Sequence, residues 1–254
     1  MIPKIIHLCW LSGDEYPSDI KYYISTWKEK LPDYEVKVWS KNNFDINSVQ
    51  WVKEAFEAKK YAFAADYIRF WALYNYGGIY LDSDVEVLKS FDSFLEKKSF
   101  MCFEYLNFPE AAIIGAEPKL QWVKNCLDYY NNKSFFYSNG EKKMQVVPHL
   151  VKLTLEKELK QTLFDNGTIQ CFDDITIYPY YYFSPKNYFT GKIRIKPNTY
   201  AIHRFASAWG PNKKRNWTLI IHQIVIFFIG KKFHDKLFRF IKKWPNTFNG
   251  DEIR

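Results

Sequence analysis

The sequence lacks a long apolar run. No stretch reaches the roughly 18 apolar residues that a bilayer-spanning helix needs, so no such helix is expected. Cysteine is also scarce. Cys9, Cys102, Cys126 and Cys171 show no paired spacing, which excludes both a zinc site and a secreted disulfide framework. A reducing, cytoplasmic setting is the expectation. Met1-Ile2-Pro3-Lys4 runs straight into a core-like strand, so no signal peptide is expected. Repeats and low-complexity segments are missing too. What is present is the composition of a globular protein, 47% hydrophobic and 25% charged, over 254 residues that suffice for one large core.

Acidic residues are few at one end. Residues 211–254 hold ten Lys and Arg against three Asp and Glu, which accounts for +7 of the chain's +8. The body before them is nearly neutral. The excess charge is interleaved with Phe233, Leu237, Phe238, Phe240 and Ile241 at helical spacings, behind an apolar run from Trp217 to Ile229. That pattern fits one or two interfacial helices, aromatics toward lipid and lysines toward anionic headgroups. A helix packed on the preceding domain is the alternative. Charge confined to an apolar tail points to an anionic membrane surface as partner and away from nucleic acid. The expected domains are therefore 1–210 and a tail, 211–254.

Within the body, apolar and turn-forming stretches alternate. Lys4 to Trp10 reads as a strand, Ser18 to Lys30 as a helix with Ser18 as its N-cap, and Tyr34 to Trp39 as a strand. A helix is expected over 49–60 and another over 62–76, followed by a strand, Ile79 to Leu81. This order is that of an α/β nucleotide-binding half. Val85 to Leu88 continues beyond it; further strands are expected over 100–105, 111–116 and 200–202, with helices over 120–130 and 150–159. The aromatic stretch from Ile175 to Phe183 suits core packing or sugar stacking.

One unit stands out. The apolar helix over 62–76 carries Asp66 and Arg69, three apart and hence on one face. Gly77-Gly78 stops it, glycine being free to take the left-handed conformation. The short strand then delivers Asp82-Ser83-Asp84 at its carboxyl end, where open α/β sheets bind ligands. On a regular strand Asp82 and Asp84 would share a side. Two carboxylates so close call for an offsetting charge, and Mg²⁺ or Mn²⁺ prefers such oxygens. Alone, Asp-x-Asp also fits a solvated turn, and Asp66 with Arg69 a structural ion pair. His7 reads as a satisfied core histidine, and Glu104 and Glu110 as part of a solvated loop, with a place near an acceptor as the alternative.

These residues resemble the glycosyltransferases with a sugar-binding region containing a DXD motif, glycosyltransferase family 32, of the GT-A type. The resemblance covers roughly residues 2–210. It is carried by Ile2-Pro-Lys-Ile-Ile-His7-Leu-Cys-Trp10, by Asp66-x-x-Arg69 through Asp84, and by His203 to Trp209. It implies a Rossmann-like α/β nucleotide-sugar-binding domain followed by a basic amphipathic helical tail.

The implied activity is a metal-dependent, retaining transfer of a hexosyl group from a nucleotide-diphosphate sugar, with a UDP-sugar expected. The acceptor would be a glycan or a lipid-linked saccharide in surface polysaccharide synthesis, at the inner face of the cell membrane. Asp84 and Asp82 would hold the Mn²⁺ or Mg²⁺, with His203 as a candidate further ligand or phosphate contact. Trp10 would stack on the base, with Cys9 and Leu11 backbone reading its edge; without the resemblance Trp10 reads as a core or surface residue. Asp66, Arg69, Asp82 and Ser83 would contact the donor. Trp209 would cover it and Ser207 would offer a phosphate-binding hydroxyl, although Ala208 stands where the pattern has Ser directly before Trp. The other class of function open to the sequence is an inactive GT-A-like protein binding membrane or glycan.

Overall fold

A computed structural model describes residues 1–104, 107–143, 146–188 and 190–206. It divides into two compact units, Met1–Lys186 with Arg194–Trp209, and Asn187–Ile193 with Gly210–Arg254. In the second, the described residues form a turn in which Asn187 N donates to Lys192 O at 2.9 Å. The tail expected to meet a membrane lies outside the described residues, and among those described no helix is long and apolar enough to cross one.

The first unit is α/β. Strands β1 (Ile5–Cys9), β2 (Glu35–Trp39) and β3 (Gly78–Leu81) alternate with helices α1 (Ser18–Lys30), α2 (Gln50–Glu57) and α3 (Tyr61–Tyr76). Then come β4 (Val85–Val87), β5 (Ser99–Cys102), β6 (Ile113–Ala116), α4 (Gln121–Asp128) and α5 (Val147–Leu159). Strands β7 (Gln170–Cys171), β8 (Thr176–Tyr178) and β9 (Ala201–His203) follow. Seven strands form one sheet in the order β2-β1-β3-β6-β5-β8-β7, and β4 pairs with β9 in a separate ribbon. Strands β2, β3 and β1 are parallel, as are β5 and β8, while β6 and β7 run against their neighbours.

The chain leaves β1 toward β2 and later returns to lay β3 on β1's other flank. The carboxyl ends of β1 and β3 thus open side by side at a topological switch point, where such sheets bind ligands. Ile6, Leu8, Ile79 and Leu81 from these strands join Trp27, Phe91, Phe94, Phe100 and Phe183 in the core. Edge-to-face contacts such as Phe94–Phe183, 5.0 Å between centroids, absorb much of the aromatic content into packing.

Several local readings change. Ser18 is the first helical residue and Pro17 the cap, in extended backbone with no side-chain cap bond. Helix α5 begins at Val147 because Pro148 falls in its first turn, where a missing N–H costs nothing. Residues 175–183 split into β8 and a 3₁₀ turn, Tyr180–Tyr182. The two-residue β7, too short to show a period, pairs antiparallel with β8. Gly77 has φ 63° and ψ −167°, so the helix stop is a glycine-only conformation and not the left-handed helical one. A Cβ on Gly78 would come 2.5 Å from Ile5 O, so β3 approaches β1 there only because that residue is glycine.

Candidate active site

The site begins with a turn. Strand β3 ends at Leu81, and Val85 N donates to Asp82 O at 3.0 Å, which folds Asp82-Ser83-Asp84 back. The two carboxylates converge through this turn and not through the pleat of a regular strand. Strand β4 then pairs with β9 in the register Val85↔His203, which brings in His203 from 118 residues downstream. One ligand atom each from Asp82, Asp84 and His203 lie within 4.8 Å of one another.

The carboxylates are held unequally. Asp82 Oδ1 accepts the Tyr80 hydroxyl at 2.9 Å and faces Arg69 Nη2 at 3.4 Å. Burial raises its pKa and Asp84 adds to that, against the pull of Arg69. Asp84 Oδ2 accepts Ala206 N at 2.6 Å, and Oδ1 lies 3.5 Å from His203 Nε2. Burial works against its charge, yet His203 and the backbone bond hold its carboxyl below the usual range. The His203 imidazole sits between Asp84 and Glu110, whose charges outweigh burial and keep it protonated far above its ordinary pKa.

Helix α3 supplies the next layer. Arg69 is 5% exposed, so each of its donors needs an acceptor. Nη1 donates to Ala111 O at 2.5 Å and Nη2 to Asp66 Oδ1 at 3.0 Å, while the guanidinium lies 4.5 Å from the Tyr80 ring centroid. Nε has no hydrogen-bond partner among the described residues. Burial pushes the Asp66 carboxyl up to about 7, against the attraction of Arg69.

Residues 17–101 match the family described as "Glycosyltransferase sugar-binding region containing DXD motif". An uncharacterized glycosyltransferase of Acanthamoeba polyphaga mimivirus is 26% identical over 248 residues, covering 90% of this chain and 92% of that protein. The chain is thus an enzyme that transfers sugars, similar to the DXD-containing glycosyltransferases. Inositol phosphoceramide mannosyltransferase 2 of Schizosaccharomyces pombe is 35% identical to it over 99 residues, 37% of this chain and only 28% of that protein. The solved PaToxG glycosyltransferase superposes with a TM-score of 0.50 at 21% identity, over 63% of this chain and 70% of its own, which shows the fold to be of the GT-A kind.

In this glycosyltransferase the expected site residues are spread over several places. Asp82, Asp84 and His203 come together, and Asp66 and Arg69 adjoin them through Asp82. Cys9, Trp10 and Leu11 lie at and just after the carboxyl end of β1, all buried, with the Trp10 ring tilted against Tyr16 at 4.6 Å and its Nε1 donating to Asp14 O at 2.7 Å. Ser83 is half-buried in the turn. Ser207 and Trp209 lie outside the described residues. His7 is a core histidine: Nε2 donates to Gly77 O at 2.7 Å and Nδ1 accepts Trp39 Nε1 at 3.2 Å.

The expectation of a solvated loop at Glu104 and Glu110 does not hold. Glu110 is 3% exposed. Its charge is retained despite burial, because His203, Ser184 and the Ala112 N–H all favour it. Burial and Glu110's charge push half-buried Glu104 up to about 8. Tyr80 and Ser184 were also outside the sequence-level site, since an apolar strand and an aromatic stretch gave no sign of where their hydroxyls point.

Two hard carboxylates and an imidazole form a donor set that suits a divalent cation, and an orphaned Arg69 Nε suits an oxygen of a bound molecule. The DXD family suggests a divalent metal and a nucleotide sugar, and these residues fit both.

Proposed function

We propose that this glycosyltransferase moves a hexosyl group from a nucleotide-diphosphate sugar, a UDP-sugar first among them, to a hydroxyl of a glycan or lipid-linked saccharide. The reaction is read as metal-dependent and retaining, in the assembly of surface polysaccharide. The observation that carries this is the convergence of Asp82, Asp84 and His203 beside the switch point of the sheet. A bound Mn²⁺ or Mg²⁺ would offset the charge of the leaving nucleotide diphosphate.

The chain's own residues do the rest. Asp84 would hold the ion directly, and Asp82, oriented by Tyr80 and Arg69, would do the same. His203 would hold it through Nε2, in the form that carries no proton there. Arg69 keeps Asp66 and Asp82 in place and offers Nε to a donor oxygen. Asp66 accepts hydroxyls of the donor. Trp10, Cys9, Leu11 and Ser83 border the nucleoside, while Ser207 and Trp209 cover the donor. The tail brings the enzyme to the inner face of the membrane, where lipid-linked acceptors lie.

The name of the fission-yeast relative favours one alternative donor, a mannosyl nucleotide, with inositol phosphoceramide as the kind of acceptor to try. The experiment is a panel of nucleotide sugars, including UDP-glucose, UDP-galactose and GDP-mannose, with Mn²⁺ or EDTA, scored for nucleotide diphosphate release. Release with at least one donor that EDTA abolishes is the expected result. Full activity in EDTA would end the metal-dependent reading.

A further inference from the structure

Glu110 lies on the connection between β5 and β6, where its backbone N donates to Cys102 O at 2.7 Å. Its side chain is locked at both oxygens. Oε1 accepts the Ala112 N–H at 3.1 Å. Oε2 accepts the Ser184 hydroxyl at 2.7 Å and lies 3.1 Å from His203 Nδ1. Ser184 is fully buried, so this arrangement is shielded from water. An ionised carboxylate in such surroundings is costly unless its partners need it.

The partner that most needs it is His203. An imidazole on a three-residue strand can rotate about its χ angles and can present either nitrogen. With Nδ1 committed to Glu110, only Nε2 is left to face Asp84 and Asp82. We infer that Glu110, braced by Ser184 and the Ala112 N–H, is a positioning residue. It fixes His203 with its Nδ1–H donated away, so that the Nε2 lone pair is presented to the Asp82–Asp84 pair for a divalent cation. The inference rests on the metal-site reading above and adds a residue to it. Glu110 itself does not touch the ion. It acts on metal affinity through the orientation and basicity of His203, as carboxylates behind ligating histidines do.

The test is a double-mutant cycle on Mn²⁺ binding by the full chain, using Mn²⁺ alone and reading free ion by EPR. The proteins are wild type, E110A, E110Q, H203A, E110A/H203A and E110Q/H203A, with D84N as the reference for the site. E110A is expected to weaken Mn²⁺ binding about 10- to 100-fold. E110Q keeps an oxygen for the Nδ1–H and should lose less. In the H203A background neither change at Glu110 should weaken binding further, because the route through the imidazole is gone. Wild-type affinity in E110A and E110Q, or an equal loss with and without His203, would overturn the inference. If E110A does not fold, the nearly isosteric E110Q closes the same cycle.

The two readings fail differently. Mn²⁺ binding by wild type that D84N abolishes, with E110 variants unaffected, would remove only the role of Glu110. No Mn²⁺ binding by wild type would remove the metal site and this inference together.

Discussion

The Tyr80 hydroxyl donates to Asp82 Oδ1 at 2.9 Å from the strand residue two places earlier. The Tyr80 ring is also where the Arg69 guanidinium rests, so one buried side chain sets both a carboxylate and its counter-charge. Tyr80→Phe keeps the ring and removes only the hydroxyl. We expect kcat/KM to fall about tenfold, or ~1.4 kcal/mol of transition-state stabilisation, as Asp82 loses one of its two restraints. Thermal melting should change little, since the ring still fills its place. Steady-state kinetics with the active donor decides this, and wild-type kinetics in the variant would show that Asp82 needs no such restraint.

Asp84→Asn should be far more severe for turnover. The site loses its more strongly ionised carboxylate, and a loss of about 10²–10³ in rate is expected by analogy with removing one stabiliser of developing charge. Stability should also fall, by ~1–3 kcal/mol, because His203 loses an ionic partner while Asn can still accept the Ala206 N–H. Parallel melting curves and nucleotide diphosphate release separate the two effects. Unchanged turnover would remove Asp84 from the metal site.

His7 makes acid sensitivity predictable. Burial is the largest cause that lowers its pKa from 6.5 to about 4, against the bond to Gly77 O. A proton on Nδ1 would also meet the Trp39 N–H it now accepts. The neutral ring therefore contributes its stability in full above pH 6.5 and loses it as pH falls toward 4. That is about 3 kcal/mol at 1.36 kcal/mol per pKa unit. Urea unfolding at pH 7 and pH 4.5 should show a larger loss in wild type than in His7→Gln. Equal losses would mean that the histidine is neutral in both states or reachable by water.

Product stereochemistry tests the retaining reading. An α-linked nucleotide sugar should give an α-linked product, read from the anomeric proton by NMR. A β-linkage would refute it.

Membrane attachment is tested by charge. Replacing Lys231, Lys232, Lys236, Arg239, Lys242 and Lys243 with Gln should weaken binding to vesicles containing phosphatidylserine and leave the catalytic rate on a soluble acceptor unchanged. About 1 kcal/mol per basic residue near the surface is at stake. Equal sedimentation with the vesicles would remove the membrane role of the tail.

What the sequence disclosed was local. A helix rich in apolar residues, two glycines and a strand ending in Asp82 and Asp84 sit within one stretch, so periodicity and turn chemistry sufficed. The convergence of Asp82 and Asp84 was foreseen, but its means was not, because whether a strand ends before or after Asp82 is set by pairing with β6 and by a single turn bond. His203 came from resemblance alone. Glu110 was read as part of a solvated loop and Ser184 gave no local sign, since the two meet only across 74 residues of sequence. Long-range pairing builds that part of the site.

The β4–β9 ribbon has a consequence for how such a chain can vary in length. Its register is only three pairs long, and the site uses the pair at one end, Val85↔His203. Exposed loops between α5 and β9 that avoid β8 and Ser184 can gain or lose residues without altering that pairing. One residue inserted between Ala201 and His203 would instead turn the imidazole to the opposite face. Insertions and deletions should therefore be tolerated in those exposed loops and be purged in the last few residues before His203.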